Sequence, residues 1–482
     1  MQILITNTLG RRKEVFAPWS PPLVGMYVCG PTVYDYIHIG HARTFVAFDG
    51  IKRYLWLRGF SVTHVQNITD IDDKIIKRAA ELGVDWRQVS ETYARDYLEL
   101  LQALRVRVDV HPRVTDHINE IVKFIEGLID KGHAYVVPSG SVYFDVDTYP
   151  DYGRLSGNLS KALWNQGEEI SAEKRHPYDF ALWKAAKPGE PWWDSPWGRG
   201  RPGWHIECSV MSTRYLGTKI DIHAGGSDLV FPHHENERAQ SESLLGDKWV
   251  KYWLHSGMLT IRGEKMSKSL GNIVSLRDAI KEWGAETLRV WVLSSHYRSP
   301  IEYSEQSLSQ AKRLTERLRD VASDLVRRAT RESYSHYLKD QDLDLVARLR
   351  GVLTRWHEAM SNDFNMSEAA SAVWEFTNIY YKEVTSSESA GVLITAYKLL
   401  SDFNKVYAIA DDIIEGTAAP QLQGLEDSLV GLLVEVRSQL RRAKMYDLAD
   451  YIRSRLSTLG FTLMDKGDKT EWRRSTKTSE GP

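Results

Sequence analysis

The sequence predicts an α/β protein: a split parallel-sheet nucleotide-binding domain carrying an insertion, followed by an all-α helical bundle. Three observations carry this. Over residues 24 to about 82 the apolar runs alternate strand, helix, strand, helix, the order that builds a parallel sheet with right-handed crossovers. Between about 110 and 203 the pattern changes to a helix, paired short strands and a Trp/Pro/Gly-rich loop, after which strand and helix signals resume. From Glu305 onward the period is helical.

In chain order, a short N-terminal strand pattern precedes LVGMYVCG, which reads as a buried strand closing on a glycine turn. HARTFVAFDGIKRYLWLRGF follows as a helix and SVTHVQNI as the next strand. DIDDKIIKRAAEL resumes helix; Asp70, Asp72 and Asp73 suit the positive end of its dipole better than a magnesium site. TDHINEIVKFIEGLIDKG supplies the helix of the insertion and PGEPWWDSPWGRGRPGW its loop. KIDIHAGG restores a strand, HHENERAQSESLLG a helix and YWLHSGMLTI a further strand, so the Rossmann-like alternation is split. Leu308, Ala311, Leu314, Leu318, Val321 and Leu325 line one helix face, and Asn365 with Glu368 matches a capping box. The expected domains are 1–304, with the insertion at about 110–203 and a final segment at about 250–304; a bundle at 305–415; a linker at 416–424; a small domain at 425–472; and a disordered tail at 473–482.

The 482 residues are 42% hydrophobic and 26% charged, ordinary for a globular chain with more than one core. A net charge of -2 gives no overall nucleic-acid footprint, so any such partner must meet local patches. Two cysteines are too few for a disulfide framework and favour a reducing compartment. No apolar run reaches the ~18 residues of a membrane span, and MQILITNTLGRRKEVFAP lacks a secretion signal's apolar core. A cytoplasmic location without a membrane partner is expected.

PTVYDYIHIGH ends a strand and opens a helix, which places His38 and His41 where free backbone N–H groups favour phosphate. Gly40 lets a nucleotide approach, and the two imidazoles can donate to a triphosphate as its charge shifts. Lys265 and Lys268, in the string KMSKS, are cations suited to α-phosphate and pyrophosphate. Alone, each string equally describes half-buried helix-start histidines or a solvated lysine loop; together they point to ATP. His233 and Glu237 lie four apart in PHHENE, Cys29 closes the first strand, and Cys208 sits in GWHIECS. Two thiolates, an imidazole and a carboxylate suit tetrahedral zinc, with His234 also in reach of the ion. A closed structural zinc knuckle and two small buried hydrophobes are the blander readings. His205-Ile206-Glu207 matches the H-x-E of zinc deaminases, but no P-C-x-x-C follows.

HIGH near the start of a split nucleotide-binding fold and KMSKS at its end resemble the class I aminoacyl-tRNA synthetases, which join an amino acid to AMP and pass it to tRNA. MYVCGPTVYDYIHIGHAR, QNITDIDDKII, GRPGWHIECS and HAGGSDLVFPHHENE are similar to the cysteinyl-tRNA synthetases, from about Met26 to beyond Asn272. The resemblance implies ATP with Mg2+, L-cysteine and tRNA(Cys) as partners of a chain expected to be monomeric. It implies one zinc ion on Cys29, Cys208, His233 and Glu237, with the substrate thiolate completing the coordination, and favours His233 over His234. It gives His38, His41, Lys265 and Lys268 the adenylation chemistry. Thr69, Trp204 and Asp228 are implied in the cysteine pocket, and Gly225 and Gly226 beside the adenine. Judged as residues alone, Thr69 and Asp228 equally suit caps, Trp204 a core aromatic and the glycine pair a turn.

Residues 305–415 resemble the bundle with which this family reads the anticodon, on the string Asp363-Phe364-Asn365. Arg437, Arg441, Arg442, Lys444, Arg453 and Arg455 form either an RNA surface or a solvated face; Trp472 is either a stacking platform or a core residue. Two other functions share parts of the pattern. Ligases that pass cysteine to an amino sugar lack the long helical C-terminal region, and a non-catalytic RNA-binding paralogue is expected to have lost the motif residues that are intact here.

Overall fold

The computed structural model describes residues 1–167, 171–266, 271–329, 334–335, 337–415, 419–443, 445–458, 461–466 and 469–474. Four parallel strands form the central sheet, in the spatial order Val250–Ser256, Ile220–Gly226, Leu23–Val28 and Ser61–Gln66. Val24, Met26, Val28, Ile220, Ile222 and Ala224 are each at most 2% exposed, because both faces of the sheet are covered. From Leu23–Val28 the chain first returns on one side, as Ser61–Gln66, and much later on the other, as Ile220–Gly226. That reversal leaves a crevice at the carboxyl ends of the inner strands, where open α/β sheets bind ligands.

The helix Ile39–Leu57 is buried on nearly every face, with Ile39, Phe45, Val46, Phe48 and Ile51 at most 2% exposed. Sheet lies on one side of it and the helical bundle on the other. Its buried Asp49 accepts from Arg53 at 2.7 Å and from Arg289 at 2.8 Å. Arg289 also donates to the carbonyls of Leu104 at 2.8 Å and Tyr407 at 2.7 Å, tying three segments to one carboxylate.

Within the insertion, the helix Ile118–Asp130 packs with an antiparallel sheet of Ala134–Val136, Val142–Phe144, Phe180–Ala185 and Gly200–Pro202. Its Ile121, Ile125, Phe144 and Phe180 share one apolar cluster with Tyr27, Cys29, Ile206 and Cys208. The insertion is thus continuous with the core that floors the crevice. YWLHSGMLTI is not one strand: Val250–Ser256 ends, and Leu259–Ile261 joins a separate small sheet with Glu264–Lys265 and Ile301–Glu302. Gly257 makes the break, donating to the Tyr297 carbonyl at 2.7 Å where a Cβ would lie 2.2 Å from the Ser299 oxygen.

The bundle comprises Glu305–Ala329, Asp340–Ser361, Met366–Ile379 and Ala390–Tyr407. The six apolar residues of its first helix are all buried, and Asn365 caps the third helix by accepting from the Glu368 N–H at 3.2 Å. Residues Met1–Ala410 form one compact unit, so the bundle and the sheet pack as one body; Asp411–Pro482 form a second. That second unit holds helices Ala419–Arg442 and Tyr446–Thr458 and a hairpin of Phe461–Lys466 with Lys469–Arg474. Its helix runs through 419–424, where a linker was expected; 416–418 lie outside the described residues. Arg473 and Arg474 are strand rather than tail, and 475–482 and Lys444 lie outside the described residues. Trp472 packs edge-on against Phe461, with ring centroids 5.6 Å apart, in a core of Val430, Val434, Leu456 and Leu463. Arg437 is buried and leaves the proposed cationic surface. Among the described residues no helix is long and apolar enough to cross a membrane.

Candidate active site and metal centre

A cleft of about 670 Å³ opens at the crevice, lined among others by Cys29, His38, His41, Trp204, Gly226 and Asp228. His38 caps the helix Ile39–Leu57, and its N–H donates to His41 Nδ1 at 3.2 Å. Nδ1 is thereby an acceptor, so the His41 proton sits on Nε2 as a donor. Burial and the adjacent His38 push the His41 imidazole down to about 3, which keeps it neutral. Although far along the chain, the second string reaches the same turn. Ile39 N donates to Val274 O at 3.1 Å, Leu276 N donates to Ile37 O at 3.1 Å, and Met266 lines the cleft with Gly40. The Lys265 backbone pairs with Thr260, while residues 267–270, and Lys268 with them, lie outside the described residues.

Trp204 stacks on His233, with centroids 4.2 Å apart. Thr69 is 2% exposed; its hydroxyl donates to Glu207 at 2.9 Å and accepts from Asn67 at 3.2 Å. Gly226 faces the cleft, whereas Gly225 packs against Leu229 and His234. The three acids after Thr69 do not converge. Asp72 caps its helix by accepting from Lys74 N at 2.9 Å, Asp73 pairs with Lys184 and Arg201, and Asp70 accepts from the Thr115 hydroxyl at 2.6 Å.

Beneath Trp204 the structure gathers Cys29, Cys208, His233 and Glu237, all buried. Cys29 follows Leu23–Val28, and Cys208 lies on the helix Trp204–Leu216. His233 sits in the π-turn Val230–His234 that leads into the helix Glu235–Leu245, which carries Glu237. The sulfurs are 3.8 Å apart and belong to free cysteines; Cys29 Sγ is 3.6 Å from Glu237 Oε1, and His233 Nε2 is 3.0 Å from that oxygen. A tetrahedral zinc with bonds of about 2.3 Å to sulfur holds two sulfurs about 3.8 Å apart, so the donor set fits such an ion. His205 Nδ1 meets His233 Nδ1 at 2.9 Å, a contact of the kind that orients an imidazole beside an ion.

A second set, Cys29, His223, His234 and Glu237, is equally compact. His223 opens the string HAGGSDLVFPHHENE but was not singled out as a donor; strand register brings it beside Tyr27. Burial pushes Glu237 up, but His223 and His233 outweigh it and hold the carboxyl well below its usual range. Burial also opposes charge on His233, yet Glu237 and Cys208 raise it to about 10. Burial raises the Cys208 thiol; the Cys29 hydrogen bond and His233 offset this and bring it to about 6. The cluster stabilises positive charge at its centre, which a proton or a divalent cation supplies.

The split sheet and the cleft shared by the two nucleotide strings define a class I aminoacyl-tRNA synthetase. The family described as "tRNA synthetases class I (C) catalytic domain" matches residues 15–313. The cysteine–tRNA ligase of Aeropyrum pernix is 66% identical over 98% of this chain and 100% of its own length; that of Staphylothermus marinus is 57% identical over 98% and 99%. The chain belongs to the cysteinyl-tRNA synthetase family. In fold it is similar to the Mycobacterium tuberculosis methionyl-tRNA synthetase in complex with methionyl-adenylate (TM-score 0.59, 18% identity, 82% of this chain and 91% of that one). It is also similar to an Agrobacterium radiobacter LeuRS in a ternary complex (TM-score 0.63, 13% identity, 83% and 86%).

Proposed function

We propose that this chain activates L-cysteine with ATP and Mg2+ to cysteinyl-AMP and transfers the cysteinyl group to tRNA(Cys), with zinc selecting the substrate thiol. One observation carries the reading: Cys29 belongs to the donor cluster and also lines the cleft that holds His38 and His41. Cys29, Cys208, His233 and Glu237 hold the zinc. When bound there, the ion supplies a soft position that a thiolate takes and a serine hydroxyl does not. Pocket shape alone separates such close analogues by only about 1 to 3 kcal/mol.

Trp204, Asp228 and Thr69 hold the amino acid around its amino group and side chain. Its carboxylate attacks the α-phosphorus of ATP, and pyrophosphate leaves. His41, neutral and donating from Nε2, stabilises charge growing on the phosphates together with His38, Lys265 and Lys268, while Gly226 admits the nucleotide close to the backbone. The helical bundle and the small C-terminal unit serve tRNA. Purified protein should exchange pyrophosphate into ATP with cysteine and not with serine, and Cys29→Ser should abolish exchange while circular dichroism stays unchanged. Equal exchange with serine sinks zinc selection. Charging of tRNA with labelled cysteine separates this activity from an amino-sugar ligase and from a silent paralogue.

A further inference from the structure

Behind the metal cluster runs a line of hydrogen bonds that starts in the N-terminal hairpin, Leu4–Asn7 with Arg12–Val15. Asn7 clamps this hairpin to the edge strand of the sheet: Trp253 N donates to Asn7 Oδ1 at 3.0 Å, and Asn7 Nδ2 donates to Lys251 O at 3.0 Å. Thr8 N adds a bond to Trp253 O at 2.9 Å. So held, the Thr8 hydroxyl meets His255 Nδ1 at 2.7 Å, His255 Nε2 meets His234 Nδ1 at 2.8 Å, and His234 Nε2 meets Cys29 Sγ at 3.2 Å.

A neutral imidazole carries one N–H, so the line has one polarity at a time. Where Cys29, Cys208, His233 and Glu237 hold a cation, Cys29 is a thiolate that only accepts, and the group facing it is His234 Nε2–H. His234 Nδ1 then accepts from His255 Nε2–H, and His255 Nδ1 accepts from the Thr8 hydroxyl. The opposite polarity turns the His234 Nε2 lone pair toward the cluster, as the donor set containing His223 and His234 needs, and the Thr8 hydroxyl then accepts from His255 Nδ1–H. With hydrogen on Nε2, His234 cannot ligate through that atom. In either polarity the Thr8 hydroxyl anchors the line, and with it the place of the His234 imidazole against Cys29.

We propose that Thr8 is a positioning residue of the metal centre: through His255 and His234 its hydroxyl anchors the imidazole that meets Cys29 in the cluster. The inference rests on the zinc reading above. Its test uses the full chain loaded with zinc or cobalt(II), in the wild type, Thr8→Val and Thr8→Ser. The readouts are the rate of metal transfer to a chromophoric chelator, the sulfur-to-cobalt charge-transfer absorbance, which follows the number of thiolate ligands, and the KM values for cysteine and ATP. Thr8→Val should release metal about tenfold faster, the scale of outer-shell partners. It should also lower the charge-transfer band and raise KM for cysteine but not for ATP, while Thr8→Ser matches the wild type. Should Thr8→Val not fold, Thr8→Ala carries the same expectations. Unchanged release and absorbance in a folded Thr8 variant overturn the proposal, as does a Thr8→Ser that fails like Thr8→Val. A wild type that takes up no metal overturns the zinc reading itself, and this is seen before any variant is measured.

Discussion

A methyl group on Gly30 would lie 1.7 Å from the Asn67 carbonyl oxygen, while the Gly30 N–H donates to the Asn67 side chain at 2.8 Å. The two loops that wall the cleft are therefore in backbone contact, and Gly30→Ala must push them apart. A loss of about 3 kcal/mol is expected in urea unfolding, together with a fall in cysteine-dependent exchange. Nothing in CGPT announced this contact, since its partner follows another strand, Ser61–Gln66. The gathering of Cys29, Cys208, His233 and Glu237 was legible because two cysteines in 482 residues leave few choices and a His-to-Glu spacing of four is local, while His234 was equally in reach and only the family resemblance favoured His233. The places of His223, His255 and Thr8 were not legible: sheet register sets His223 and His255 on neighbouring strands, Thr8 reaches His255 from the turn after Leu4–Asn7, and register has no short-range signature.

Where a segment carries its own stop and start signals, sequence and structure agree. Asn365 accepts from the Glu368 N–H and begins the helix Met366–Ile379. Asn365→Ala should lower the thermal unfolding free energy by about 1 kcal/mol, the usual worth of an N-cap, and leave pyrophosphate exchange unchanged. Disagreement arises where composition stood in for such signals. GTAAPQLQG suggested a linker, yet the helix Ala419–Arg442 includes most of it: Pro420 falls in the first turn, where its missing N–H costs nothing, and Gly424 is tolerated within a long helix. For Trp472 the sequence left a stacking platform and a core residue equally open, and the structure takes the second: a two-helix, one-hairpin unit needs an aromatic against its small core.

Across the first unit, the buried Asp49 joins the helix behind the cleft to the bundle through Arg289. Burial pushes its carboxyl up, but Arg289 and Arg53 outweigh this and leave it below its ordinary value. A carboxyl depressed in the folded state adds stability above its unfolded pKa, about 3.9, and that stability is lost as pH falls through the folded value. The protein should accordingly lose stability below about pH 4. Asp49→Asn, weaker by about 3 to 5 kcal/mol at neutral pH, should show a flatter profile there, as read by unfolding midpoints across an acid series. The sequence reading ended the bundle at 415, close to the division at Ala410, but its separation of 1–304 from the bundle does not appear, because the two pack as one unit and only packing shows that. The long insertion separates Cys29 from Cys208 in the chain, yet its core and theirs are one. These are the chain's only thiols, and they face each other. A sulfhydryl reagent added to the unlabelled protein therefore has a single place to react, and the number of reactive sulfurs, two or none, becomes a gauge of how much of any preparation is metal-loaded.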